Sequence, residues 1–174
     1  ILHTVRLLQQ FEDVRTYYQR KFRYVLIDEY QDTNNLQYQL ASTLAGGYEN
    51  FCVVGDDDQS IYRFRGATIE NILSFEKQYP ACRTIRLEEN YRSTKSILEA
   101  SNAVIRNNQG RKGKELWTKA GAGDKVTLYT AMNENDEAQY VANQILDGVS
   151  KGRHFKDHAI LYRMNAQSNQ MENA

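Results

Sequence analysis

Two carboxylates stand side by side directly after an apolar run of the chain. The run is YVLI at residues 24–27, and Asp28 and Glu29 follow it. Open α/β sheets bind their ligands outside the carboxyl ends of the strands, where these side chains would lie. Phosphoryl transfer needs one carboxylate to position Mg²⁺ and a second group to orient or deprotonate the attacking water, so Asp28 suits the metal and Glu29 the water. A solvated turn or a helix cap explains an isolated Asp-Glu pair equally well.

A second polar motif follows the next apolar run, in the sequence VGDDDQSIYRFRGA of residues 54–67. From this loop the amide of Gln59 has the length to reach both a terminal phosphate and the catalytic water. Tyr62 and Phe64 alternate with arginines, among them Arg65, and such interleaved side chains stack on bases and neutralise the phosphates of a single strand. Taken alone, the two rings are more simply explained as core residues of a turn.

A third motif, LEENYRS at residues 87–93, follows another apolar run. Arg92 has the charge to stabilise the phosphoryl group during its transfer. Tyr91 has a ring that could lie flat against a nucleotide base. On their own, Arg92 would be interpreted as a surface salt bridge and Tyr91 as an aromatic residue at a domain edge.

The elements that position these motifs alternate between strands and helices, which predicts a parallel sheet with crossover helices. We expect the first strand, residues 24–27, to be buried on both faces. The predicted strands are residues 24–27, 51–54, 84–87, 126–131 and 159–162. Helices are predicted from Asn34 or Asn35 to Gly46, around Ile69 to Leu73 before Pro80, from Ser93 or Thr94 through Ile105, and from Ala138 through Val149. A domain boundary is placed near residues 88–93.

The amino-acid composition limits which classes of protein this chain can belong to. With 174 residues, 41% hydrophobic and 25% charged, the chain predicts globular domains and not a disordered tail. No apolar run approaches the roughly 20 residues of a membrane helix. Lysine plus arginine and aspartate plus glutamate balance at 22 each, so any contact with nucleic acid must come from local patches. Cys52 and Cys82 lack metal-ligand spacing and are interpreted as free, buried thiols of a protein in the reducing cytoplasm.

The three motifs occur in an order that resembles one family, the superfamily 1 DNA helicases of the UvrD/Rep/PcrA type. In that family a DE-x-QDTN segment is the Walker B element, a GD-x-DQSIY-x-[WF]RGA segment couples nucleotide to DNA, and an L-x-x-NYRS segment supplies an arginine from the second motor domain. Residues 162–168, YRMNAQS, are similar to the YRTNAQS of the family. The resemblance implies partial RecA-like P-loop NTPase motor domains, α/β in class, with parallel sheets flanked by helices. Residues 1–90 would end the first motor domain and residues 91–174 would begin the second.

The resemblance also implies the cofactors ATP and Mg²⁺ and a role for each residue around them. Asp28 would coordinate the metal, and Glu29 would be the second residue of the metal site and the general base. Gln59 would sense the γ-phosphate. Tyr91 would stack on adenine, and Arg92 would act as the arginine finger.

Single-stranded DNA, including its junctions with duplex, is the partner that the resemblance implies. The contacts would be made by Tyr62, Phe64, Arg65, Arg163 and Asn165. Two positions depart from the family: Phe64 stands where tryptophan is common, which leaves a smaller stacking face, and Met164 replaces a threonine and its polar contact.

No G-x-x-x-x-G-K-[ST] phosphate loop occurs in the printed sequence. Residues 110–115, GRKGKE, contain glycines and lysines but follow no strand and have Glu115 where a metal-binding hydroxyl is needed, so we reject them as that loop. Their basic side chains, with Arg106 and Lys119, are expected to be solvated or to contact phosphates.

The sequence therefore predicts an internal segment of an ATP-dependent helicase that moves 3′-to-5′ on single-stranded DNA and unwinds duplex, in DNA repair or replication. The segment alone is expected to be inactive. Two alternatives remain: a helicase–nuclease subunit of the recombination type, and a non-enzymatic module that binds single-stranded DNA.

Overall fold

The first 45 residues form three helices around a short strand. Asn34 begins the third helix with a reciprocal cap, because its side chain accepts from the backbone of Gln37 at 3.0 Å and the Gln37 side chain accepts from the backbone of Asn34 at 2.9 Å. This confirms the predicted helix start. Apolar residues of the first and third helices, such as Val5 and Ala41, are buried. The helices are α1 (Leu2–Gln10), α2 (Glu12–Lys21) and α3 (Asn35–Ala45).

Two parallel strands, β1 (Val25–Ile27) and β2 (Phe51–Val53), form the sheet of the protein, with α3 as the crossover between them. Val25 pairs with Phe51 in register. The expected burial of the first strand on both faces is wrong, because Leu26 is 70% exposed. Packing covers one face of the two-stranded sheet, and the side chain of Leu26 points to the other.

An aromatic cluster covers the packed face of the sheet. Tyr30, which is fully buried, meets Phe51 and Phe75 edge-on at centroid distances of 6.2 and 5.7 Å. Tyr79 lies 4.7 Å from Phe75. Burial raises the pKa of the Tyr30 hydroxyl, which keeps this group neutral. Edge-to-face aromatic pairs add to the free energy gained by burying their area, so these rings fix the turn that follows β1.

The chain beyond β2 is helical where helices were predicted. α4 (Glu70–Leu73) and α5 (Phe75–Gln78) end before Pro80, and α6 (Lys95–Ile105) begins after Thr94. Residues 84–87 form no strand, contrary to prediction. Nearby, Glu89 makes an isolated parallel bridge with Trp117.

Residues 1–174 are all described by this computed structural model, and they divide into two compact units, residues 1–125 and 126–174. The second unit contains α7 (Glu134–Ser150) packed on α8 (Ser168–Asn173). The strands predicted at residues 126–131 and 159–162 do not form. A strand requires a hydrogen-bonding neighbour, and the sheet of this chain contains only β1 and β2.

The fold is thus a helix-rich mixture with a small parallel sheet. None of its helices combines the length and the apolarity that crossing a bilayer requires. The expected burial of the two thiols is wrong, because Cys52 is exposed and Cys82 is only partly buried. The expected boundary near residue 90, between two motor domains, stays a prediction.

Candidate functional site

The two adjacent carboxylates lie at the carboxyl end of β1, both exposed. Glu29 has a left-handed backbone, with φ 49° and ψ 42°, a conformation that costs energy for a residue with a side chain. Asp28 accepts a hydrogen bond from the Glu29 amide at 2.9 Å. Such backbone strain is typical of functional sites, where surrounding contacts must maintain it.

Gln31 connects the ends of the two strands. It donates from Nε2 to Glu29 Oε2 at 2.8 Å and accepts at Oε1 from the Asp56 amide at 2.9 Å. Only 1% of its surface is exposed. The carboxylate of Glu29 is therefore held at a fixed position relative to the loop after β2.

Gly55 makes this connection possible. A Cβ atom at this position would lie 2.6 Å from Gln31 Oε1 and 2.9 Å from Ile72 Cδ1. Neither Gln31 nor Gly55 was predicted as a site residue from the sequence. Both stand inside the motifs it quoted, so the motifs themselves were the available signal.

Gln59 ends a 3₁₀ turn, Asp57–Gln59, that follows β2. Its Nε2 donates to Asp56 Oδ2 at 2.6 Å, and Asp56 Oδ1 also accepts from the Asp58 amide at 3.0 Å. The side chain of Gln59 is exposed, and through Asp56 and Gln31 it belongs to the same hydrogen-bonded set as Glu29.

The basic loop at residues 110–115 lies against these aspartates. Arg111 forms a two-pronged ion pair with Asp58, from Nε at 2.7 Å and from Nη2 at 2.6 Å, and Lys114 pairs with Asp56. The interpretation of these two cations as solvated or phosphate-contacting is therefore wrong.

The three aspartates at residues 56–58 have carboxylate oxygens within 4.8 Å of one another. Each of these carboxylates already has a partner, since Arg111 pairs with Asp58, Lys114 pairs with Asp56 and the Lys112 amide donates to Asp57, so the cluster does not suggest a metal centre. Asp28 and Glu29, by contrast, offer exposed carboxylate oxygens, which is the donor chemistry that Mg²⁺ takes.

The aromatic-basic segment is displayed on the surface. Phe64 is 67% exposed and Tyr62 is 37% exposed, with their ring centroids 6.0 Å apart. The guanidinium of Arg65 lies over both rings, 5.1 Å from Tyr62 and 5.4 Å from Phe64. A core role is excluded for Phe64.

Tyr91 and Arg92 lie in a loop shaped by Asn90, whose side chain accepts from the amides of Arg92 and Ser93 at 3.0 and 2.8 Å. Tyr91 is 86% exposed and donates to Glu89 at 3.1 Å. Arg92 forms none of the salt bridges in the structure. Neither residue is joined by a hydrogen bond or an ion pair to Glu29 or Gln59.

The last two predicted residues lie in the unit formed by residues 126–174. Asn165 begins a 3₁₀ turn, Asn165–Gln167. The backbone amide of Arg163 donates to Gln167 Oε1 at 3.0 Å, and both predicted side chains are exposed.

Comparison with known proteins gives two adjacent family matches. Residues 1–80 match the model of the UvrD/REP helicase N-terminal domain, and residues 85–174 match that of the UvrD-like helicase C-terminal domain. The ATP-dependent DNA helicase PcrA of Staphylococcus aureus (strain Mu50 / ATCC 700699) is 54% identical over 172 residues, which cover 99% of this chain and 24% of that protein. PcrA of Staphylococcus epidermidis (strain ATCC 12228 / FDA PCI 1200) is 53% identical with the same coverage. The chain spans about a quarter of the length of these relatives.

Proposed function

The chain belongs to the UvrD-like helicase family, and from this premise we propose that it is the central part of an ATP-dependent DNA helicase. Residues 1–90 complete a first RecA-like motor domain, and residues 91–174 begin a second. The observation that supports this best is the hydrogen-bonded set Glu29, Gln31, Asp56 and Gln59, which joins the carboxyl ends of two adjacent parallel strands. Ligands of α/β sheets bind at that edge.

Asp28 and three residues of this set, Glu29, Gln31 and Gln59, would carry out separate parts of ATP hydrolysis. Asp28 would hold Mg²⁺, and the metal would supply positive charge to neutralise the phosphoryl oxygens. Glu29 accepts the proton of the attacking water, and its hydrogen bond from Gln31 keeps the accepting carboxylate in place. Gln59 senses the γ-phosphate.

Two residues of the later loop complete the nucleotide site. Arg92 stabilises the negative charge of the phosphoryl group in transfer, and its lack of an ion-pair partner leaves its charge available for that role. Tyr91, whose side chain is largely exposed, stacks on the adenine base.

The helicase binds single-stranded DNA and moves along it. Tyr62 and Phe64 offer exposed rings to bases, and Arg65 lies over both rings, where it adds a positive charge for the phosphates. Arg163 and Asn165 contact the same strand from the second motor domain. Movement is 3′-to-5′, and it unwinds duplex at junctions during repair or replication.

The substitution Glu29→Gln in the full-length protein tests this proposal. The amide cannot accept the proton of the water, so turnover of ATP should fall by a factor of about 10² or more while ATP binding persists. Phosphate release stimulated by single-stranded DNA measures turnover, and equilibrium binding of a labelled nucleotide measures affinity. Turnover within a few-fold of the unmodified protein would show that Glu29 is not the base.

A further inference from the structure

Two loops that lie far apart in the sequence are held together by charge. Arg111 and Asp58, 53 positions apart, form the two-pronged ion pair, and Lys114 pairs with Asp56. The backbone amide of Lys112 donates to Asp57 Oδ2 at 2.7 Å. The loop of residues 111–114 therefore meets every carboxylate of the 56–58 loop. The loop of residues 111–114 lies in the segment that matches the C-terminal family domain. The loop of residues 56–58 lies in the segment that matches the N-terminal family domain.

The carboxylate of Asp56 is the point where this contact reaches the candidate site. It accepts from Lys114, from the Asp58 amide and from Gln59 Nε2. Because a carboxylate only accepts hydrogen bonds, the amide of Gln59 must turn its NH₂ group toward Asp56. The carbonyl oxygen of Gln59 is thereby directed away from Asp56, and one N–H of the same amide is left to donate elsewhere.

That orientation suits a group that must contact both water and phosphate. A carbonyl oxygen accepts a hydrogen bond from water, and an amide N–H donates to a phosphate oxygen. With the amide reversed, its oxygen would face Asp56 and the two acceptors would repel. The direction of the Gln59 amide is thus set by the charge and position of Asp56.

Lys114 stabilises the ionised form of Asp56 and holds its carboxylate in place through their ion pair. Burial raises the pKa of the Asp56 carboxyl, but the hydrogen bonds from Lys114 and Gln59 and the charge of Lys114 outweigh burial and lower it. Without the ammonium group, Asp56 would face the carboxylates of Asp57 and Asp58 with less compensation.

We propose that Lys114 is a positioning residue for ATP hydrolysis: through Asp56 it sets the orientation of the Gln59 amide toward the attacking water and the terminal phosphate. Arg111 holds the two loops at the separation that the contact requires. This role rests on the proposed function, because it concerns the same reaction.

The test compares two lysines of one loop in the full-length protein. Lys114→Met removes the ammonium group from Asp56, whereas Lys112→Met removes a side chain that pairs with Glu76 and retains the backbone bond to Asp57. We expect Lys114→Met to lower kcat for DNA-stimulated ATP hydrolysis about tenfold or more, because small misplacements of an orienting group cost turnover. The KM for ATP should change little, and Lys112→Met should behave like the unmodified protein. Lys114→Arg should restore most of the lost kcat.

A double substitution shows whether Lys114 acts through Gln59. If it does, adding Lys114→Met to Gln59→Ala should lower kcat no further, because both substitutions remove the effect of the same oriented Gln59 amide. Additive losses, unchanged kcat in Lys114→Met or an equal loss in Lys112→Met would overturn the positioning role. If the unmodified protein hydrolyses no ATP with single-stranded DNA present, the proposed function itself fails, and the positioning role with it.

Discussion

Among single residues, Phe64 gives the sharpest test of the DNA path. Its ring is largely exposed beside Tyr62 and under Arg65, so truncation removes a surface for stacking and leaves the core intact. Stacking on one aromatic is worth about 1–3 kcal/mol. Phe64→Ala in the full-length protein should therefore weaken affinity for single-stranded DNA roughly 5- to 150-fold, and Phe64→Trp should retain or improve it. Fluorescence anisotropy with a labelled oligonucleotide measures the change.

Phe75 supplies the matched control for this substitution. It is buried against Tyr30 and Phe51, and truncating a core aromatic typically costs about 3–5 kcal/mol of stability. Phe75→Ala should lower the melting temperature strongly, whereas Phe64→Ala should lower it little. A strong drop in Phe64→Ala with unchanged DNA affinity would place the DNA path elsewhere.

The individual site residues were predictable only in part. Asp28, Glu29 and Gln59 could be chosen from the sequence because each lies in the polar segment after an apolar run that becomes a strand. The roles of Gln31 and Lys114 could not be predicted, because each depends on a partner that is distant in the sequence. Gln31 accepts a hydrogen bond from the Asp56 amide, 25 positions away, and Lys114 pairs with the Asp56 carboxylate. The assigned roles in catalysis and DNA binding stay predictions.

At the scale of elements, the close approach of α4 to the loop after β2 depends on Gly55. Gly55→Ala would place a Cβ 2.6 Å from Gln31 Oε1, 2.9 Å from Ile72 Cδ1 and 3.1 Å from the Tyr30 backbone nitrogen, so these elements must move apart. We expect the shift to break the hydrogen bond that the Asp56 amide donates to Gln31 Oε1. ATP turnover in the full-length protein should fall about tenfold or more, and thermal stability should decrease.

Gly121→Ala is the corresponding control. The added Cβ at Gly121 would have no atom within 4 Å. Turnover and melting temperature should stay at the values of the unmodified protein. Equal effects of the two substitutions on turnover and melting temperature would mean that the close approach of Gly55 to Gln31 does not determine either quantity.

Helices were predicted more successfully than strands for a physical reason. The cap at Asn34 and the stop before Pro80 depend on neighbouring residues, which the sequence displays directly. A strand depends on a partner that the sequence does not name. Residues 84–87 and 126–131 have the apolar pattern of strands and no neighbouring strand to pair with, so the prediction failed there.

For the molecule as a whole, the chain as printed should not hydrolyse ATP. It contains no G-x-x-x-x-G-K-[ST] sequence to hold the phosphates opposite Asp28, and isolated carboxylates make a poor site for ATP. Steady-state phosphate release by the purified 174-residue chain should stay at background with and without single-stranded DNA. Release that is stimulated by DNA and lost in Glu29→Gln would contradict this expectation.

The boundary between the two family matches and the boundary between the two compact units fall at different positions in the chain. The family matches change between residues 80 and 85, whereas the compact units divide between Lys125 and Val126. Ion pairs from residues 111–114 to residues 56–58 help to join the two segments within the first unit. Such long-range contacts cannot be predicted from composition and local sequence pattern.

These ion pairs also bear on the order in which residues 1–125 fold. Arg111 and Asp58 are 53 positions apart, so bringing them together costs more chain entropy than forming a turn of α3. We expect contacts of this kind to form late, after local helices and the two neighbouring strands exist. An interaction that is absent from the folding transition state slows unfolding and leaves folding unchanged. The charged contact should therefore prolong the lifetime of the folded unit without hastening its formation.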